Sequence, residues 1–420
     1  MERNRVVIGD ARQLAAQLEP QSVQTIVTSP PYFSLRSYLD ADHPDKAHEM
    51  GSEPTPAAFV ASLVGLFEAL RPALRDDGTM WVNLGDSYAS SPPGNVRGVS
   101  EHSGLHGASS DKYRATLMSG HATKRDTSKV GIPPKSLLMI PARFAIAMQD
   151  AGWVLRSEIV WAKPSPMPES VTDRPTKSHE MIYLFAKKPT YYYDAEAIAE
   201  PSNEAGRVIT LGEKSFSRRQ ADGQGVTRSG NALADSFAVG STRNKRTVWT
   251  VSPGNFPGAH YATFPPDLIR PCILAGAASR ACAACGTPWR RVVERSNPSK
   301  AMNVGLDMSG GAARTSNPQT SAGLHRNGGG VYSSARTLDW QPACRCGTQE
   351  TRPSLVLDPF MGSGTVAEVC HQEGRDWLGF DLDERSITWT AERLAALPIA
   401  ALTSSDGVSV ARQLALGVGG

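Results

Sequence analysis

Long apolar runs are missing from this chain of 420 residues. No stretch holds enough consecutive apolar residues to span a bilayer, and no apolar run follows Met1. Neither a membrane segment nor a secretory leader is therefore expected. Cysteine is scarce: there are six, four of them in the close pairs Cys282/Cys285 and Cys344/Cys346. That is no disulfide scaffold at this length, and it fits a reducing cytosol. Net charge is low too, at +3. A phosphate-rich partner would have to be met by a local basic face rather than by the whole chain. What remains can bury a large core, as one enlarged domain or a domain with insertions. Gly, Pro and Ser gather in blocks that predict long loops.

The most informative stretch runs from Ser354 to Thr365. Leu355, Val356 and Leu357 form a short apolar run, as in a parallel strand covered on both faces. Asp358 closes it. Gly362-Ser363-Gly364 lets the backbone bend and approach a ligand, and Thr365 is placed to cap a helix over 366–372. A second strand, 377–380, ends in Asp381. An acid thus stands at the tip of two neighbouring strands with a glycine turn between them. That is the pattern of a nucleoside site at the carboxyl edge of a doubly wound sheet. The third glycine of a dinucleotide fingerprint is absent; Ala367 takes its place. Asp358 ahead of the turn repels phosphate and suits a cation. S-adenosylmethionine carries an ammonium and a sulfonium and no phosphate, and Asp381 would hold its ribose hydroxyls. The plainer alternative is a structural strand-turn-helix.

Near the other end, a strand over 6–8 closes at Gly9-Asp10, and a helix over 11–18 leads to a strand over 23–27. This strand runs into Thr28-Ser29-Pro30-Pro31-Tyr32-Phe33. Two prolines stop any regular element and lock the loop. Thr55-Pro56 opens a helix with Phe59, Leu63, Leu66, Phe67 and Leu70 on one face, and Asp76-Asp77-Gly78 is expected to end it. A strand over 79–84, a helix over 137–151, strands over 154–161, 180–185 and 247–251, and helices over 266–275 and 386–397 complete an α/β pattern.

Asp358-Pro359-Phe360-Met361-Gly362-Ser363-Gly364-Thr365, preceded in the chain by Ser29-Pro30-Pro31-Tyr32, resembles the two motifs of the β-class DNA amino-methyltransferases, which modify cytosine N4 or adenine N6. The resemblance covers most of the chain. It implies a mostly parallel, doubly wound Rossmann-like methyltransferase sheet with loop insertions, and S-adenosylmethionine as cofactor. Ser29 and the Pro30 carbonyl would accept hydrogen bonds from the target amino group, drawing its nitrogen towards tetrahedral geometry. Tyr32 would stack on a base flipped out of double-stranded DNA. Pro359, Phe360, Gly362, Ser363, Gly364 and Thr365 would line the cofactor with Asp358 and Asp381. His260 and Phe264, in a His-x-x-x-Phe-Pro stretch, would pack on its methionine part. Asp10 would help hold adenine, or simply cap a helix. Trp161 would touch the base or lie in the core. Serine at the head of the tetrapeptide leans towards cytosine N4, with adenine N6 as the alternative. The family includes solitary enzymes and partners of restriction endonucleases, and a homodimer is compatible with it. Such an enzyme works on DNA in a bacterial, archaeal or phage-infected cytoplasm, at the nucleoid.

This divides the chain into a catalytic half, 1–194, with a basic loop about 88–130; a target-recognition region, 195–246, rich in arginine; a cofactor-pocket segment, 247–278; a cysteine-bearing insertion, 279–352; the S-adenosylmethionine-binding half, 353–397; and a tail, 398–420. Within the insertion, Cys282-x-x-Cys285-Gly and Cys344-x-Cys346-Gly have chelating spacing. Four thiolates would make a closed structural zinc site; free cysteines, or His325 as a substitute ligand, are the alternatives. Two other functions compete. Cytosine C5 methylation needs a cysteine nucleophile, and Pro271-Cys272 matches that signature only superficially, inside an expected helix. A DNA-binding regulator on a dead scaffold would show a broken motif, and neither motif is broken.

Overall fold

A sheet of eight strands is the frame of the computed structural model, which describes residues 1–34, 37–89, 131–166, 168–169, 171–205, 207–210, 236–238, 241–254, 263–295 and 335–397. The chain opens with β1 (Arg5–Ile8), α1 (Ala11–Ala15), β2 (Val23–Thr28), α2 (Pro56–Leu70) and β3 (Leu74–Leu84). Then come α3 (Ile140–Asp150), β4 (Val154–Ala162), β5 (His179–Ala186) and the short strands β6 (Glu200–Pro201), β7 (Val208–Thr210), β8 (Ser236–Ala238), β9 (Thr242–Arg243) and β10 (Val248–Thr250). The remainder is α4 (Pro266–Gly276), β11 (Ala281–Cys282), β12 (Arg290–Arg295), β13 (Ala335–Gln341), β14 (Thr351–Arg352), β15 (Leu355–Asp358), α5 (Thr365–Gln372), β16 (Asp376–Asp381) and α6 (Arg385–Ala395).

Two compact units result. The larger takes in Met1–Ala197, Arg246–Trp289 and Pro342–Gly420, and the smaller Ile198–Lys245 and Arg290–Gln341. In the larger unit the strand order is β1-β16-β15-β2-β3-β5-β4-β10. Every pair is parallel except those made by β5, which runs antiparallel to β3 and β4. The central strands are apolar because helices cover both faces. Met80, Val82 and Leu84 face one layer and share a core with Leu63 and Phe67 of α2 and Phe144 of α3. Their neighbours Thr79 and Trp81 face the other, where Gly276 of α4 comes so close that a Cβ would lie 2.7 Å from Thr25 Oγ1. Each large side chain buried this way contributes roughly 1.5–3 kcal/mol. The smaller unit holds three antiparallel pairs, β6 with β9, β7 with β8, and β12 with β13.

Several expected boundaries move. Thr55 caps α2 as expected, its Oγ1 accepting from Ala58 N at 3.0 Å, but the helix stops at Leu70. Asp76-Asp77-Gly78 belongs to β3 instead of ending α2. The strand starts early because Leu74 is fully buried and pairs with Val23 across a register shift, while Lys187 and Lys188 answer the Asp76 charge. α1 is shorter than 11–18, and α3 begins at Ile140 because Met139 takes a left-handed conformation, φ 56°. Most of the expected basic loop, much of the 195–246 region, the stretch 296–334 with His325, and the tail 398–420 lie outside the described residues. Among the described residues no helix is long and apolar enough to cross a membrane.

Candidate active site

The strand order reverses between β15 and β2. From β15 the crossover through α5 leads outward to β16, and from β2 the crossover through α2 leads the other way to β3. Crossovers that diverge leave a crevice at the carboxyl ends of the strands. A cavity of about 950 Å³ lies there, with Asp10, Ser29, Pro30, Pro31, Tyr32, Phe264, Pro359, Phe360, Gly362, Ser363, Thr365 and Asp381 on its wall. Asp358 and Gly364 are not on that wall, and His260 lies outside the described residues.

One side is built on backbone amides. Asp381 receives Gly362 N at 2.7 Å and Asp383 N at 2.9 Å, so it grips the glycine turn and its own loop together. Asp358 is 1% exposed and sits beneath the turn, its Oδ1 receiving Phe360 N at 3.0 Å and Thr28 Oγ1 at 2.6 Å. That last bond ties the ends of β15 and β2 across the reversal. Burial pushes the Asp358 carboxyl up to about 7 and that of Asp381 up to about 6. Gly364, at φ +78°, is the residue ahead of α5, and a Cβ there would lie 2.5 Å from Thr390 Oγ1. Thr365 is accordingly the first helical residue, not the cap expected from sequence. Arg393 of α6 pins the turn by donating to Ser363 O at 2.7 Å and Ser363 Oγ at 2.9 Å. No local pattern near the turn points to Arg393, which follows Glu392 in a helix of mixed polarity.

The other side is built on side chains. The Tyr32 ring lies against Gly85, where a Cβ would come within 2.4 Å of it. Tyr32 Oη donates to Glu180 Oε2 and accepts from Asn83 Nδ2 at 2.8 Å. Glu180 also accepts from Asn83 Nδ2 at 2.9 Å and pairs with Lys163, whose ammonium lies 4.2 Å from the Trp161 ring centroid. Burial, then the Glu180 charge, push the Tyr32 phenol well above its ordinary value, so it remains a protonated donor. Trp161 itself is buried, its indole N–H donating to Val251 O at 2.8 Å, with an edge on the cavity wall. Asn83, Lys163 and Glu180 were not predicted as site residues; a lysine just after β4 and a glutamate at the start of β5 were the available signal.

Asp10 is the helix cap, one of the two roles considered for it, and it also lies on the cavity wall. Its carboxylate accepts from Arg12 N at 2.9 Å. Burial opposes its charge, but the Arg12 guanidinium prevails and holds Asp10 below the usual carboxylate range.

The four paired cysteines also come together. β11 and β14 pair antiparallel, Cys282 opposite Thr351, and Gly286 N returns to Cys282 O at 2.8 Å. The sulfurs of Cys282, Cys285, Cys344 and Cys346 all lie within 4.8 Å of one another. Zinc at about 2.3 Å from each thiolate would suit such a cluster. Cys272 is buried within α4 and is not on the cavity wall.

Amide-gripped acids, apolar rings and a glycine turn on one side, and a proline-locked serine on the other, describe an α/β enzyme that seats a cationic nucleoside cofactor beside a polar acceptor group. The DNA methylase model of the N6/N4 methyltransferases matches residues 23–280 and 345–392, and the chain belongs to that family. It is a site-specific DNA methyltransferase acting on an exocyclic amino nitrogen. It is 33% identical over 390 residues to the type II methyltransferase M.XycI of Xanthomonas campestris pv. cyanopsidis, covering 92% of this chain and 86% of that one. Identity to the type II methyltransferase M.Cfr9I of Citrobacter freundii is 33% over 388 residues, with 92% and 86% covered. Among solved structures it is similar to the PvuII DNA methyltransferase (cytosine-N4-specific), with 15% identity, TM-score 0.45, and 94% of this chain and 86% of that chain covered.

Proposed function

We propose that the enzyme transfers a methyl group from S-adenosylmethionine to N4 of a cytosine flipped out of double-stranded DNA. The observation that carries this is the placement of Ser29 and the Asp381-gripped glycine turn on one cavity wall. When bound, S-adenosylmethionine supplies an electrophilic methyl on a sulfonium. Asp381 would take the ribose hydroxyls, with Asp10, Phe264 and Phe360 around the rest. Asp358 holds the turn in shape from below instead of touching the cofactor. Ser29 Oγ and the Pro30 carbonyl would accept the two hydrogens of the target amine, and Tyr32 would stack on the base. The rate then comes from aligning nitrogen, methyl and sulfur, with no covalent enzyme intermediate.

The smaller unit, with 195–246, would read the DNA sequence through arginines. The four cysteines would hold a structural zinc and no catalytic group. A restriction endonuclease of the same specificity would be its partner in a bacterial cytoplasm. Incubating duplex DNA with methyl-labelled S-adenosylmethionine tests the reading. Labelled DNA with wild type and none with Ser29→Ala is expected. Equal labelling by both would refute the role of Ser29.

A further inference from the structure

An exocyclic amine does not by itself tell cytosine from adenine. On the edge that pairs in the duplex, both bases present an amino group and, beside it, a ring nitrogen that accepts. They differ at the next position, where cytosine has the carbonyl O2 and adenine only a C–H. A pocket that reads a flipped base along this edge and prefers cytosine therefore needs a donor at O2. The Ser29 and Pro30 oxygens proposed for the amine are acceptors and do not supply it.

Two lysines lie on the cavity wall, Lys163 and Lys177. Lys163 is committed, paired with Glu180 and set over the Trp161 ring. Lys177 is held by a neutral group. Its Nζ donates to the Asp86 carbonyl at 2.7 Å, and among the described residues no carboxylate forms an ion pair with it. The Asp86 carboxylate is spent on amides, receiving Ser87 N at 2.9 Å and Ile140 N at 3.0 Å. An ammonium carries three hydrogens, so two are left once the Asp86 carbonyl is served. Burial holds the Lys177 ammonium below its ordinary value, so it is shielded enough for a missing acceptor to cost free energy.

The strands set where this ammonium stands. β3 and β5 run antiparallel with Leu84 opposite Met181, so Asp86 leaves β3 beside the residues that enter β5. Lys163 N donates to Ser178 O at 2.8 Å and fixes the backbone next to Lys177. The residue before Asp86 is Gly85, which the Tyr32 ring covers. The carbonyl that holds Lys177 is thus one residue along from the glycine under the ring proposed to stack on the base. We infer that Lys177 is the donor that reads cytosine O2, and so a residue that sets the preference for cytosine over adenine. The inference rests on the proposed base and on Tyr32 stacking upon it.

Lys177→Met tests this, because it keeps a stem of similar length and removes the donors. With the methylated position mapped in plasmid DNA, duplexes are made that carry cytosine, adenine or an abasic site there. Their affinities are measured with the demethylated cofactor bound, and cofactor titration fixes the folded fraction. Lys177→Met should bind the cytosine duplex about 10-fold more weakly than wild type does, and the adenine and abasic duplexes within about 2-fold of wild type. Lys177→Gln decides if the methionine variant does not fold; its shorter stem does not reach both the Asp86 carbonyl and the base, and the same selective loss is expected. Equal weakening on all three duplexes with a shallower salt dependence would make Lys177 a phosphate contact. Weakening on cytosine and adenine alike, with the abasic duplex unmoved, would put it on the shared ring nitrogen. Either result, or no change on any duplex, would overturn the inference. Mass analysis of the wild-type product separates the two levels. N4-methylcytosine beside no selective loss removes only the part given to Lys177, whereas N6-methyladenine removes the cytosine reading itself.

Discussion

The two sides of the cavity are held in different ways. On the glycine-turn side, carboxylates grip main-chain amides: Asp381 takes Gly362 N and Asp383 N, and Asp358 takes Phe360 N. On the proline-loop side, Tyr32, Asn83, Lys163 and Glu180 hold one another through side-chain atoms alone. Amides come with the backbone, so the first arrangement tolerates change in the residues around it. The second depends on four particular side chains. Under the proposed function, binding belongs to the first and reactivity to the second, and the two should come apart under mutation.

The largest effect expected is on reactivity. Ser29→Ala should lower kcat at least about 100-fold, the size seen when a group stabilising a transition state is removed, while cofactor affinity by calorimetry stays within about 2-fold. Parallel loss of affinity would join what the comparison separates. Asp381→Ala should do the reverse. Its cofactor affinity should weaken roughly 10- to 100-fold, as for loss of a hydrogen bond to a charged group, with kcat at saturating cofactor much less affected. An unchanged dissociation constant would remove Asp381 from the pocket.

A third experiment concerns a region outside both halves. Metal analysis should find one zinc per chain, and stripping it should lower the melting temperature by about 5 °C or more. Ser for Cys282 should prevent binding. A metal-free protein with the same melting curve would leave the cysteines as a plain thiol cluster.

The smallest effect is that of pH, and it should be confined to the glycine-turn side. Asp358 and Asp381 have folded-state values of about 7 and about 6, above the ordinary 3.8. The folded protein therefore binds more protons than the unfolded chain between roughly pH 4 and 7, and its stability falls as pH rises through that window. Ribose hydroxyls and a cationic ligand favour ionised carboxylates, so cofactor affinity should rise over the same window. The apoprotein should melt lower at pH 7.5 than at pH 5.5, and the increment given by cofactor should grow. A flat increment would show that neither acid responds to the ligand.

The glycine-turn side was legible in the sequence because its constraints are local. Asp358, the turn and Asp381 follow in one short stretch, and strand, turn and helix each leave a compositional mark. What stayed hidden there was non-local: the Thr28 hydroxyl, 330 residues from Asp358, and Arg393 reaching back to Ser363. Hence Asp358 reads as a wall residue in sequence and lies beneath the turn in the fold. On the other side, Ser29-Pro30-Pro31-Tyr32 was visible, but its support was not. Glu180 lies 148 residues from Tyr32, and no spacing rule links the start of β5 to a loop after β2. Shifted boundaries, such as Asp76-Asp77-Gly78 inside β3, have the same origin. Burial of Leu74 and the partners of Asp76 outweigh a turn-like tripeptide.

The most direct measurement is nucleoside mass analysis of duplex DNA methylated by the purified enzyme with labelled S-adenosylmethionine. N4-methylcytosine is the product the proposed function expects, with Ser29 at the head of the tetrapeptide as the acceptor for the amine. N6-methyladenine would keep the chemistry and replace the base. 5-Methylcytosine would contradict the central claim, because it requires a cysteine nucleophile that no strand tip at this cavity provides among the described residues.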